Sequence, residues 1–154
     1  MATTKVNPDA DAIVIEVQIA APPERVFQAL IDPNQAMDWW KNDTVSIENF
    51  ELEPKVGGRW GYQTKQAVHG VNKLCVQGEV LAYDPPRLLA YTWIANLHED
   101  PTLRTEVRWE LTPVSGGTLV KLTHSGLAQD PKARSGYGSG WPGLLDRLKR
   151  FVER

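Results

Sequence analysis

The order of apolar and polar positions divides this chain into elements. From Ala12 to Ala20, Ile13, Ile15, Val17 and Ile19 alternate with Val14, Glu16 and Gln18, which predicts a half-buried strand. Pro22-Pro23 ends it. Pro23 suits the first turn of a helix striped by Val26, Phe27, Leu30 and Ile31. Asp32-Pro33 closes that helix, because a residue before proline is pushed out of the helical region. A second short helix is predicted from Pro33 to Trp40.

A β-rich region follows. Between Thr44 and Glu53, Val45 and Ile47 share one parity and Phe50 and Leu52 the other, so a bulge near Glu48-Asn49 is needed to face all four one way. Gly57-Gly58 reads as a hairpin turn. Trp60, Tyr62 and Thr64 then alternate with Arg59, Gly61 and Gln63. A long strand is expected from Val71 to Tyr83, with Leu74, Val76 and Val80 inward, and Asp84-Pro85-Pro86 breaks it. The stretch 87–95 is apolar on both faces, Leu89, Tyr91 and Trp93 against Leu88, Ala90 and Ile94, and its orientation stays open. Val107, Trp109 and Leu111 give the cleanest alternation in the chain. After the Ser115-Gly116-Gly117 turn, Val120, Leu122 and His124 share a side.

The period then changes. Trp141, Leu144, Leu145, Leu148, Phe151 and Val152 form one helical face, and Asp146, Arg147, Lys149, Arg150 and Glu153 the other. Such a helix needs a large apolar surface to lie on, and the one-sided antiparallel sheet predicted before it needs a cover. Pro142 either starts this helix or kinks it.

Composition narrows the class. At 154 residues one domain spanning 1–154 is expected, with residues 1–11 a loose leader. No apolar run approaches the roughly 18–20 residues of a membrane span, and the N-terminus shows no secretory h-region. A single cysteine, Cys75, rules out an intrachain disulfide and fits a cytoplasmic location. A net charge of −2 without a basic stripe gives no reason to expect nucleic acid. Six tryptophans are the unusual feature; large aromatics fill a core or line an apolar pocket.

The motifs Ala21-Pro22-Pro23-Glu24-Arg25-Val26-Phe27, Trp39-Trp40, Val56-Gly57-Gly58-Arg59-Trp60 and Gly78-Glu79-Val80 occur in that order. Asp84-Pro85-Pro86-Arg87-Leu88, Gly116-Gly117-Thr118, Thr123-His124-Ser125-Gly126-Leu127 and Gly140-Trp141 follow. Together they resemble the START/Bet v 1-like (SRPBCC) superfamily over most of the chain, and in particular bacterial single-domain proteins related to the C-terminal domain of the activator of heat-shock protein 90 ATPase. The resemblance implies an α+β helix-grip fold: a curved seven-stranded antiparallel sheet around a long C-terminal helix, two short helices between strands 1 and 2, and a cavity between sheet and helix. It also implies a last helix beginning near Ala133. Lipid carriers, hormone receptors, cyclases and co-chaperones share this fold, so function has to be argued from the site.

The inward parities aim Trp60, Tyr62, Val76, Val107, Trp109, Leu122 and His124 at Trp141, Leu144 and Leu145, which makes these ten the candidate ligand-binding set. The alternative is a solid aromatic core. Gly140 and Gly143 leave room between helix and sheet, and Trp39 and Trp40 are a candidate lid. His124 is the one candidate acid/base. Its alternative role is a histidine satisfied at a strand end. The loop His98-Glu99-Asp100 reads as solvated, no metal-ligand pattern appears, and Gly57-Gly58 and Gly116-Gly117 precede strands, so they are turns and not phosphate cradles. The expected function is binding of a hydrophobic or aromatic small molecule without a cofactor, by a monomer or homodimer. A cyclase- or hydrolase-like enzyme using His124 and a co-chaperone-like interaction module are the alternatives.

Overall fold

The structure is a computed structural model that describes residues 3–6, 11–67 and 72–154, residues 3–6 for their backbone only. Among the described residues eight strands form one antiparallel sheet: β1 (Thr3–Val6), β2 (Ile13–Ile19), β3 (Ile47–Leu52), β4 (Arg59–Thr64), β5 (Cys75–Asp84), β6 (Leu88–Ala95), β7 (Thr105–Val114) and β8 (Gly117–Ser125). Their spatial order is β1-β2-β8-β7-β6-β5-β4-β3. Helices α1 (Pro23–Ile31) and α2 (Pro33–Trp40) join β2 to β3, and α3 (Pro131–Glu153) lies across the sheet. This is the helix-grip architecture expected from the sequence, with its seven strands extended by β1.

That eighth strand corrects the expectation of a loose leader. Thr3 to Val6 pair with Glu16 to Ile13 and cover an edge of β2 that would otherwise leave its backbone groups unpaired. The long strand expected from Val71 begins at Cys75 instead; Val71, like His69, lies outside the described residues. The bulge in β3 sits where the parity change requires it: pairing with β4 shifts between Glu48 and Glu51, and Asn49 takes a positive φ of 55°.

Pairing of β6 with β7 decides the ambiguous stretch. Leu89 stands opposite Trp109, Tyr91 opposite Val107 and Trp93 opposite Thr105, so Leu89, Tyr91 and Trp93 face the core with the inward residues of β7. Pro142 lies inside α3 and does not start it. The helix begins eleven residues earlier, at Pro131, capped by Asp130, whose Oδ1 accepts the Ala133 N–H at 3.0 Å. Its far end is fastened to β2, where Lys149 Nζ donates to the Gln18 carbonyl at 2.8 Å and Glu153 accepts the N–H of Ala20 at 2.7 Å. No helix among the described residues is long and apolar enough to cross a membrane.

Candidate functional site

Between the first two-thirds of α3 and the β3–β6 half of the sheet lies a cavity of about 660 Å³. Trp40, Tyr62, Trp93, Tyr137, Trp141 and Leu144 supply much of its wall. Its fourth side is made by absence. Gly136 and Gly140 are one helical turn apart on the cavity face of α3, and a β-carbon built on either would meet nothing within 4 Å. Larger residues there would fill the space between helix and sheet.

Of the ten candidate binding residues, Tyr62, Trp141 and Leu144 line this cavity. Trp60, Val76, Val107, Trp109, Leu122, His124 and Leu145 are buried behind it, as the floor on which the lining rests. The Trp39-Trp40 pair divides. Trp39 turns into the core, donating its indole N–H to the Ala29 carbonyl at 2.9 Å and meeting Trp109 edge-on. Trp40 forms cavity wall at the centre of an aromatic cluster, 5.2 Å from Tyr62, 6.1 Å from Trp141 and stacked 6.4 Å from Trp93, centroid to centroid.

Hydrogen bonds fix the tryptophans. The indole N–H groups of Trp39, Trp60, Trp93, Trp109 and Trp141 each donate to a partner inside the protein, and that of Trp40 is directed at the Tyr62 hydroxyl.

His124 is sealed below the cavity, 0% exposed. Its Nδ1 accepts from Trp141 Nε1–H at 3.1 Å, and its Nε2 lies 2.8 Å from Thr105 Oγ1. Thr105 has one hydroxyl proton and donates it to the Trp93 carbonyl at 2.8 Å, so His124 must be the donor to Thr105. The imidazole is therefore the neutral Nε2–H tautomer with both nitrogens occupied. Burial pulls its pKa down to about 3, with His98 adding a like-charge contribution. His124 is thus satisfied by a threonine and a tryptophan side chain near the end of β8.

Tyr137 and His98 form a second polar pair that the sequence did not reveal. Tyr137 Oη accepts from Trp93 Nε1–H at 2.9 Å and lies 2.6 Å from His98 Nε2. The other nitrogen, Nδ1, is buried and makes no well-formed hydrogen bond, and the Leu103 backbone acts on the ring. His98 is 4% exposed, so the solvated reading of its loop fails at His98 and holds at the exposed Glu99 and Asp100; Asp130 Oδ2 accepts the Glu99 N–H at 3.2 Å and ties the loop to the start of α3. Burial holds the His98 pKa below its ordinary value against the opposing pull of Asp130. Tyr137 could have been found in the sequence, since it precedes Trp141 by four residues on the same helical face, but the surrounding Ser135–Gly140 stretch hides the helix. Trp93 was hidden by the two-sided apolarity of β6. Among the described residues no cluster of three or more His, Cys, Asp or Glu side chains could hold a metal ion.

A sheet gripping a long helix over an aromatic cavity defines a helix-grip protein of the START/Bet v 1-like class. The family model for "Activator of Hsp90 ATPase homolog 1-like protein" matches residues 20–153, and the chain belongs to that family. No protein of curated function matches the sequence. Among solved structures, MLL2253 from Mesorhizobium loti is 31% identical, with 93% of this chain and 97% of that one aligned and a TM-score of 0.73. CV1439 from Chromobacterium violaceum is 25% identical over 94% and 99% of the two chains, with a TM-score of 0.79. CalU16 from Micromonospora echinospora is also 25% identical, over 99% and 83%, with a TM-score of 0.65.

Proposed function

We propose that this protein binds a hydrophobic or aromatic small molecule in the cavity between its sheet and α3. The observation that carries the reading is the 660 Å³ space itself, walled by aromatic rings and kept open by Gly136 and Gly140. Pockets of roughly 300–1,000 Å³ with apolar walls and a few polar groups are the usual form of small-molecule sites. The exposed Cys75 thiol suits a reducing compartment, in keeping with action in the cytoplasm.

Binding is favoured over His124-centred catalysis on geometric grounds. A general base must reach a substrate proton, and both nitrogens of His124 are bonded to Thr105 and Trp141 behind the cavity wall. A docking role has little surface to support it, because the large apolar side chains exposed among the described residues are Val56 and Val114, each in a hairpin turn or beside one. The test is native mass spectrometry and tryptophan quenching against a panel of fatty acids, sterols, polyphenols and polyketides. A 1:1 adduct accompanied by quenching supports the reading. Failure of every member to bind, with a crystal structure showing the cavity collapsed, refutes it.

A further inference from the structure

The charged groups of the cavity are segregated along α3. Glu99, Asp130 and Lys132 stand at its N-terminal end, and Arg147 at the other. Fifteen residues separate Lys132 from Arg147, a distance of about 22 Å at 1.5 Å per residue. A 660 Å³ volume drawn out over that length is a slot, not a sphere.

Arg147 is a half-buried cation. Its Nε donates to the Trp39 carbonyl at 3.3 Å and one Nη to the Trp40 carbonyl at 3.2 Å. The other, Nη1, lies over Gly143, 3.6 Å from where a β-carbon would stand on this cavity-lining glycine. Desolvation is the largest influence on the guanidinium and holds its pKa below the ordinary value; Arg150 works the same way, and Asp146 and Asp43 work against them.

Asn42 lines the cavity at the same end as Arg147. The Asn42 side-chain oxygen is taken by Thr44 N–H at 2.9 Å, Thr44 Oγ1 at 3.1 Å and Val45 N–H at 2.8 Å, which leaves Asn42 only its NH₂ donors to offer. The Trp40 carbonyl is already occupied by Arg147, and the Trp40 indole N–H is directed at the Tyr62 hydroxyl. This end of the slot therefore presents donors and a cation.

We infer that the molecule bound here is an elongated apolar organic acid whose carboxylate pairs with Arg147 while its apolar body lies along the glycine face of α3. The inference rests on the cavity being a binding site and adds the charge, shape and orientation of what it holds. A carboxylate accepts two parallel bonds from a guanidinium, and the two carbonyl contacts of Arg147 use two of its five N–H groups.

The test uses matched probes that differ in the head group alone. N-phenyl-1-naphthylamine, an uncharged fluorophore, is loaded into the protein and displaced by dodecanoate or by dodecan-1-ol. One charge-assisted pair predicts that dodecanoate displaces it at a concentration at least about tenfold lower. That preference collapses in Arg147→Met, largely survives in Arg147→Lys, and is unchanged in Arg150→Met, which removes the same charge from a residue outside the cavity. Equal displacement by acid and alcohol in the native protein overturns the inference and leaves the cavity reading standing. So does an acid preference that persists in a folded Arg147→Met or disappears equally in Arg150→Met. If Arg147→Met fails to fold, the native ratio together with the Arg147→Lys ratio decides in the same way. A protein that takes up neither the fluorophore nor dodecan-1-ol overturns the cavity reading and this inference with it.

Discussion

Protonating His124 should unfold this protein from within. Its two nitrogens are matched to opposite partners, Nε2–H to the Thr105 oxygen and bare Nδ1 to the Trp141 N–H. Adding a proton at Nδ1 puts two N–H groups face to face in a site closed to water. The folded-state pKa of about 3 lies below the unfolded value of 6.5, so between those limits the unfolded chain binds more protons and stability rises with pH. The contribution is fully present above about pH 6.5 and is lost as pH falls towards 3. Linkage gives about 2 kcal/mol lost between pH 7.5 and 5, and about 5 kcal/mol by the end of the window. For a domain of this size 2 kcal/mol corresponds to a Tm lower by about 4–8 °C. Denaturant unfolding at pH 7.5 and 5 measures the loss, and His124→Gln supplies the comparison. Glutamine can still accept from Trp141 and donate to Thr105 but has no proton to gain, so about 2 kcal/mol of the pH-dependent loss should vanish whatever the variant's absolute stability. Carboxylates that also titrate near pH 5 cancel in that difference. Imidazole NMR gives a second readout: His124 stays neutral down to pH 5 with its proton on Nε2. A midpoint near 6.5, or identical pH dependence in native and variant protein, would refute the reasoning.

Other outcomes follow from the same geometry. Gly140→Leu meets open space and gains helix propensity of about 0.5–1 kcal/mol, so it should fold with equal or higher Tm while abolishing N-phenyl-1-naphthylamine uptake. Gly78→Ala would place a β-carbon 2.0 Å from the Thr92 carbonyl oxygen, which already accepts Trp60 Nε1–H at 2.7 Å. Thermal denaturation should show a loss of about 1–3 kcal/mol or more, with Trp60 emission shifted as its hydrogen bond breaks. Asp130→Ala removes the α3 cap and the anchor of the Glu99 loop together, for a loss of about 1–2 kcal/mol from the cap alone, readable by denaturant unfolding.

Legibility in the sequence tracked how local each cause was. The strand at Val107, Trp109 and Leu111 declared itself because side-chain alternation is a property of adjacent residues, and the β3 bulge because a parity change has one local remedy. β6 could not be oriented, since a strand buried on both faces carries no alternation and only its partner β7 decides. Seven of the ten candidate residues lie beneath the cavity wall and three line it. Parity tells which face of the sheet a residue is on, not whether helix side chains cover it. Trp109 and Leu122 face inward as expected but are covered, while Trp93, Tyr137 and Arg147 reach the space itself. His98 was missed because its burial depends on Asp130 and Tyr137, which lie more than thirty residues away in sequence.

α3 is two helices in one chain segment. From Leu144 to Val152 it is built of good helix formers, with Leu145, Leu148 and Val152 buried. Its cavity half carries Gly136, Gly138, Gly140, Pro142 and Gly143. Relative to alanine those residues forgo about 1 kcal/mol per glycine and about 3 for the proline, and Pro142 leaves the Gly138 carbonyl without its i→i−4 donor. The residues that hollow out the slot are thus the ones that weaken its wall, so the same substitutions govern capacity and access. Amide hydrogen exchange should show the 133–143 segment opening at a lower free energy than 144–152, with the gap narrowing once a ligand fills the slot. The slot already opens to solvent along the exposed Gly136, Ser139, Gly140 and Gly143, so unwinding of this stretch would widen an existing mouth to admit a guest and its rewinding would narrow that mouth again.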